Sequence, residues 1–144
     1  ILFSSEIEFV FINRIKMNKL IIDIANEKIF LMIITNASIY NITHENTKIN
    51  YEKLTLIIND FLSSKNLKIA EINAIYINNR TRSFASIRNL MSIVKAFNVA
   101  KNIDYYCYNL DDFKDEKDLN YENIPDLCEK YKVKKNLINP IYIS

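Results

Sequence analysis

Three short apolar runs near the start of the chain constrain its fold more than any other feature. They span 20–25, 29–35 and 38–44, and only two or three residues separate one run from the next. A parallel connection between neighbouring strands needs a crossover of about a dozen residues, so these gaps are too short for one. The spacing therefore predicts three adjacent antiparallel strands.

Helical periodicity then replaces the strand pattern. Apolar residues recur at spacings of three and four in 51–65 and again in 83–101, with strand-like runs following each helix at 71–78 and 103–108. Three antiparallel strands followed by two crossover units predict an α/β domain, with a mixed five-stranded sheet and helices on its faces. This element order is that of the ribonuclease H-like fold and of one lobe of the actin-like ATPases.

Composition narrows the classes of function. Hydrophobic residues make up 49% of the 144 residues, and the net charge of +2 is too small to indicate nucleic-acid binding. No apolar run reaches the ~18 residues that a membrane helix requires. Cys107 and Cys128 lie far apart without metal-site spacing, so we expect free thiols in a reducing compartment and a cytoplasmic location.

The sequence contains no glycine. Glycine normally supplies the positive φ angles of turns and helix ends. Asn, Ser and Lys must take such positions here, and Asn tolerates the left-handed conformation best among them.

The residues before Met17 form a separate question. The chain starts at Ile1, and Met17 directly precedes the first strand. Segment 1–16 lacks the basic start and the small-residue cleavage site of a signal peptide. We expect 1–16 to be an upstream or unstructured extension, with an additional edge strand as the alternative, and 17–144 to be a single domain.

Asp23 ends the first predicted strand, where this fold presents a carboxylate to a metal ion or a phosphate. A metal-dependent nuclease needs several converging carboxylates to hold two cations. Glu52 or Asp60 could supply a second carboxylate from the first helix, but the fourth strand ends at Asn78 without an acid. The nuclease is therefore the weaker alternative.

The segment 80–88, R-T-R-S-F-A-S-I-R, joins the fourth strand to the second helix. Ser83 is available there as the helix N-cap. The segment resembles the motif G-P-G-S-F-T-G-[LIV]-R that the TsaB (YeaZ) family carries between the same two elements. The positions that match the motif are Ser83, Phe84, Ile87 and Arg88, and those that replace its other residues are Arg80, Thr81, Arg82, Ala85 and Ser86.

Other parts of the chain share the resemblance. Residues 20–25 resemble the family's opening strand, with Ile24 in place of a threonine, and 139–143 resemble its closing P-x-Y-[LI] stretch. Only about thirty residues lie between the fifth strand and this closing stretch, so the resemblance indicates a shortened one-lobe form with a degraded glycine motif. Replacing a glycine of positive φ would cost roughly 1 kcal/mol or more at each site.

The resemblance implies a role and partners. TsaB-like proteins are non-catalytic subunits that pair with a TsaD-type transferase in making threonylcarbamoyladenosine on transfer RNA. The resemblance implies a TsaE-type ATPase as a further partner and a homodimer for a lone copy. Transfer RNA would be contacted only indirectly, and no catalytic residue, cofactor, metal or membrane contact is implied. An actin-like nucleotide hydrolase is the second alternative function.

The partner interface is expected on the two long helices. Their apolar stripe is wider than one sheet face requires, and in the family the partner contacts these helices. The residues predicted for the interface are Leu56, Ile87, Leu90, Met91 and Val94.

Overall fold

The computed structural model describes residues 17–81, 83–137 and 141–142. The predicted extension 1–16 lies outside these residues. Within them, no helix is both long enough and apolar enough to cross a membrane.

The prediction of three adjacent antiparallel strands is confirmed. Strands β1 (Lys19–Asp23), β2 (Lys28–Ile34) and β3 (Ile39–Glu45) pair antiparallel in chain order. The turns between them are short, as the spacing of the apolar runs requires. The three strands are part of a five-stranded sheet.

Two crossover units complete the sheet. Helices α1 (Lys48–Glu52) and α2 (Leu54–Ser64) lead to β4 (Ala74–Asn78), and after the two-residue strand β5 (Arg80–Thr81), α3 (Phe84–Lys101) leads to β6 (Asp104–Tyr108). Strand β4 runs parallel to both β1 and β6. The sheet order is β3-β2-β1-β4-β6, which confirms the predicted mixed five-stranded sheet.

The remaining elements are short. Helix α4 (Ile124–Lys130) carries Pro125 in its first turn, and β7 (Ile141–Tyr142) pairs parallel with β5. The first predicted helix starts earlier than 51–65 because Thr47 is its N-cap, and it is interrupted at Lys53.

The sheet buries side chains on both faces. One face is covered by α2 and α3, whose apolar residues pack with alternate residues of the strands. The other face is covered by α4 and by a 3₁₀ turn that carries Phe113. Burial on both faces explains why β4 is buried at all five positions.

Four of the five predicted interface residues need correction. Ile87, Leu90, Met91 and Val94 are between 0% and 8% exposed and pack in the core beneath α3, so they present no surface to a partner. We expected the apolar stripe of α3 to be wider than one sheet face requires. Instead, the sheet face that α3 shares with α2 buries this stripe. Leu56 is 56% exposed and alone among the five is available for an intermolecular contact.

Asparagine takes most of the left-handed positions. Among the described residues, positive φ occurs at Asn66, Asn102, Lys132 and Asn136. Asn102 ends α3 with φ 56°, the position that glycine commonly fills after a helix. The expectation drawn from the absence of glycine is confirmed.

Candidate functional site

Asp23 and Asn78 end two neighbouring parallel strands and therefore lie side by side. Ile22 of β1 is paired with Ile77 of β4, which brings the carboxyl ends of both strands to the same edge of the sheet. Asp23 is 3% exposed and Asn78 is 2% exposed. A buried carboxylate at this position needs hydrogen-bond donors.

Three neutral groups of the chain supply those donors. The Ala25 N–H donates to Asp23 Oδ1 at 2.8 Å. The Asn78 side-chain amide and the Tyr121 hydroxyl both donate to Oδ2, at 3.3 Å and 2.9 Å. Both carboxylate oxygens of Asp23 are thus engaged by the protein itself.

Tyr121 reaches Asp23 from a distant part of the chain. It begins a 3₁₀ turn that Asn120 caps, since Asn120 Oδ1 accepts from Asn123 N at 3.2 Å. The Tyr121 ring stacks on Phe30, with 4.0 Å between the ring centroids. Burial, followed by the negative charge of Asp23, raises the pKa of Tyr121, so its hydroxyl stays protonated and continues to donate.

A second tyrosine lies close to the same charge. Tyr108, at the carboxyl end of β6, is fully buried, and its hydroxyl has no hydrogen-bond partner within 17–81, 83–137 and 141–142. Burial raises the pKa of Tyr108 well above its usual value, and the nearby Asp23 charge adds to the effect. Ionisation of this phenol is therefore strongly disfavoured.

A small cavity of about 230 Å³ opens beside this cluster. Asp23 and Tyr121 form part of its wall, and apolar side chains form much of the rest. The other lining residues are Asn26, Leu110, Leu119, Asn120 and Ile124.

The carboxylates proposed for a nuclease do not converge. Glu52 and Asp60 are exposed on α1 and α2, whereas Asp23 is buried at the edge of the sheet. No group of three or more His, Cys, Asp or Glu side chains in the described part of the chain could hold a metal ion. Asn78 stands where a further acid would be needed and donates to Asp23 instead.

The loop before α3 keeps the predicted cap. Ser83 Oγ accepts from Ser86 N at 3.1 Å, which confirms Ser83 as the N-cap of α3. Arg80 N donates to Asn78 Oδ1 at 3.0 Å, so the loop is joined to the Asp23 cluster. Arg82 lies outside the described residues. Of the other motif residues, Thr81 is in β5, Phe84 starts α3, Ile87 is buried and Arg88 is exposed.

The backbone strain expected at the replaced glycines does not arise at two of them. Arg80 and Ser86 occupy glycine positions of the family motif, and neither has a positive φ. Arg80 lies in an extended two-residue strand and Ser86 in the first turn of α3. Residues with a Cβ adopt both conformations readily, so the expected cost of roughly 1 kcal/mol is absent at these two positions.

Tyr121 and Tyr108 were missed by sequence reasoning. No local motif marks them, because Tyr121 is separated from Asp23 by 98 positions. The Asn120 cap is the one signal that could have indicated an ordered turn beside Tyr121.

The fold resembles solved structures of known proteins. YeaZ from Pseudomonas aeruginosa matches with a TM-score of 0.58 and 13% identity, over 65% of this chain and 44% of that chain. The fold is YeaZ-like. An uncharacterized protein with similarity to peptidase YEAZ, also from Pseudomonas aeruginosa, matches with the same TM-score and identity, over 65% of this chain and 43% of that chain.

A third solved structure is less similar. RuvC from T. thermophilus, in complex with a Holliday junction substrate, matches with a TM-score of 0.48 and 11% identity, over 69% of this chain and 68% of that chain. The sequence matches no protein-family model and no curated protein.

The likeness to YeaZ shows the fold and no more. The architecture is the ribonuclease H-like, actin-like arrangement that the element order predicts. The chain spans less than half of the length of the two YeaZ-type structures.

Proposed function

We propose that this chain is a non-catalytic subunit of the machinery that makes N6-threonylcarbamoyladenosine on transfer RNA, and that it pairs with a TsaD-type transferase in the cytoplasm. The YeaZ-like fold carries the proposal. The family motif supports it, because the segment that holds Ser83 and Arg88 connects β4 to α3, the two elements that flank the motif in the family.

The bonding of Asp23 supports a non-catalytic role. An enzyme built on this fold would direct the carboxylate at the end of β1 toward a metal ion or a phosphate. Here both oxygens accept hydrogen bonds from the protein's own groups, and Tyr121 occupies one side of Oδ2. Productive use of Asp23 would require at least one of these bonds to break.

The outer side of the helical layer is the surface that we assign to the partner. Its exposed apolar residues are Ile49 at 64%, Leu56 at 56% and Val99 at 86%. The inner sides of α2 and α3 already cover the sheet, so these outward side chains are available for contact with a partner. A TsaE-type ATPase would join as a further partner, and transfer RNA would be contacted through the transferase.

Co-purification with the TsaD-type transferase from the same organism tests this proposal. We expect the wild-type chain to be retained, and Leu56→Asp and Val99→Asp to lose binding, because burying an unpaired charge costs several kcal/mol. Leu137→Asp is the matched control, since Leu137 is 47% exposed and lies outside the helices. Circular dichroism should show that all three variants stay folded.

Two results would count against the proposal. Failure of the wild-type chain to bind the transferase would reject the function. Retention of both charged helix variants at the wild-type level would reject the interface while leaving the pairing intact.

A further inference from the structure

The two edge strands of the five-stranded sheet differ in whether another segment pairs with them. At the β6 edge, Asn136 N donates to Tyr105 O at 2.7 Å, and Tyr105 N donates to Asn136 Oδ1 at 3.0 Å. Tyr106 also forms a bridge with Lys135. The segment after α4 thus covers the β6 edge. Within the described residues, no strand or bridge pairs with the other edge, β3.

The β2–β3 ladder determines which backbone groups of β3 face outward. Hydrogen bonds from Thr35 N to Ser38 O and from Asn46 N to Glu27 O mark its two ends, at 2.9 Å and 3.0 Å. Antiparallel pairs alternate between hydrogen-bonded and non-hydrogen-bonded. Both ends give the same alternation, so the register of the ladder is unambiguous.

Alternate residues of β3 direct their N–H and C=O groups away from β2. By this alternation, Tyr40 and Ile42 bond to β2, whereas Ile39, Asn41 and Thr43 face the open edge. No hydrogen bond from another described segment reaches these six outward groups. The next outward carbonyl, that of Glu45, already accepts from Thr47 N and Asn50 Nδ2.

The part of β3 before Glu45 lacks the features that normally prevent pairing, and the exposed charge of Glu45 is at the end of the strand. Proteins protect exposed edges with proline, charged side chains or bulges. Residues 38–44 contain no proline, Asp, Glu, Lys or Arg. All seven residues of β3 pair with β2 in unbroken register, so no bulge turns the strand aside.

We propose that β3 pairs with β3 of a second copy of this chain, antiparallel about Asn41, so that two five-stranded sheets become one continuous sheet. This register places Ile39 of one copy opposite Thr43 of the other. The outward N–H and C=O groups of Ile39, Asn41 and Thr43 are then bonded in both copies. Glu45 keeps the hydrogen bonds that it already has.

The side chains fit the same two-fold arrangement. On the helix-covered face, Tyr40 of one copy lies opposite Ile42 of the other, and both are half-buried extensions of the core. On the opposite face, the exposed Asn41 side chains meet at the axis. Within β3, no charged side chain lies opposite another across the pairing, so the strands themselves add no like-charge pair.

A second register, centred on Ile42, fits less well. It would place Ile39 opposite Glu45, whose carbonyl is already bonded twice. The pairing about Asn41 also leaves the outer surface of α2 and α3 uncovered. It is therefore independent of the function proposed above.

Sedimentation equilibrium of the full chain over a range of concentrations tests the pairing. We expect a reversible dimer for the wild-type chain and for Thr43→Val, and a monomer for Thr43→Pro. Proline removes the outward N–H of Thr43 and no hydrogen bond to β2, a substitution that edge strands accept. Circular dichroism and thermal melting report whether the proline variant keeps its fold.

Charge substitution at Asn41 tests the register and does not depend on the proline variant. Asn41→Asp and Asn41→Lys each bring like charges together at the axis, so each should dimerise about 1.5- to 5-fold more weakly than wild type. An equimolar mixture of the two should dimerise more strongly than either variant alone. A monomeric wild-type chain, a folded Thr43→Pro variant that dimerises normally, or a mixture no stronger than its components would overturn the proposal.

Discussion

The hydrogen bond from Tyr121 to Asp23 can be removed with little other change. Tyr121→Phe deletes the hydroxyl that donates to Oδ2 at 2.9 Å and keeps the ring that stacks on Phe30. Asp23 would retain only the Ala25 N–H and the longer contact with the Asn78 amide at 3.3 Å. We expect this variant to be less stable than the wild type.

The size of the effect follows from the burial of the carboxylate. A hydrogen bond to a charged group contributes about 1.5–3 kcal/mol, and removal of one partner leaves the other underbonded. Asp23 is 3% exposed, but Tyr121 is only half-buried, so water can partly replace its hydroxyl. The expected loss is therefore near the lower limit, about 1.5 kcal/mol, or roughly 4–7 °C in Tm for a domain of this size.

Tyr106→Phe is the matched control for this measurement. Tyr106 is also half-buried and stacks on another aromatic ring, Tyr76, at 5.0 Å, but no carboxylate of the described residues accepts a hydrogen bond from its hydroxyl. Loss of that hydroxyl should change stability by less than about 0.5 kcal/mol. Chemical denaturation of both variants and the wild type at neutral pH gives the comparison.

The pH dependence supplies a second test of the same bond. The folded state raises the pKa of Tyr121 above the ordinary tyrosine value of 10.0. The contribution of the protonated Tyr121 hydroxyl to stability is therefore present below pH 10 and is lost as the pH rises through the pKa of the folded state. The difference between wild type and Tyr121→Phe should narrow above pH 10. Equal stability of Tyr121→Phe and Tyr106→Phe at neutral pH would refute the reasoning.

Two further predictions concern the ends of α3. Ser83→Ala removes the N-cap and should lower the free energy of unfolding, measured by chemical denaturation, by about 0.5–2 kcal/mol. Ser92→Ala, at an exposed position within the helix, should lower it by less. Equal losses for the two variants would argue against the cap. Asn102→Ala places alanine at φ 56°, in the left-handed region that it tolerates poorly, and should lower the free energy of unfolding by about 1 kcal/mol. Asn102→Gly should not lower it. An alanine variant as stable as the wild type would contradict this reasoning.

The fold could be predicted because its signals are local. The short gaps between the first three apolar runs allow only antiparallel pairing, and the change of period at α2 and α3 indicates crossovers. Ser83 was predictable as a cap for the same reason, since a helix start is encoded within a few residues. None of these inferences depends on contacts between segments that are distant in the sequence.

The candidate site could be predicted only in part because it is assembled from distant segments. The position of Asp23 follows from its place at the end of β1, but the donors that engage it depend on tertiary packing. Tyr121 and Tyr108 carry no motif, and their roles appear only when the turn after β6 folds back over the sheet edge. The apolar stripe of α3 shows the same limit, because it indicates burial of Leu90 and Val94 without indicating which surface buries them.

The absence of glycine affects the loop before α3 differently from the rest of the fold. Positive φ angles are taken by residues such as Asn66 and Asn102 at helix ends, where asparagine tolerates them. In the loop, Arg80 and Ser86 need no positive φ, and Arg80 N still donates to Asn78. Glycine at such positions also lets another molecule approach the backbone closely. Since Arg80 instead directs its guanidinium toward Asp111, with Nη2 3.9 Å from Oδ2, the replacements change what can reach this loop more than they change the fold.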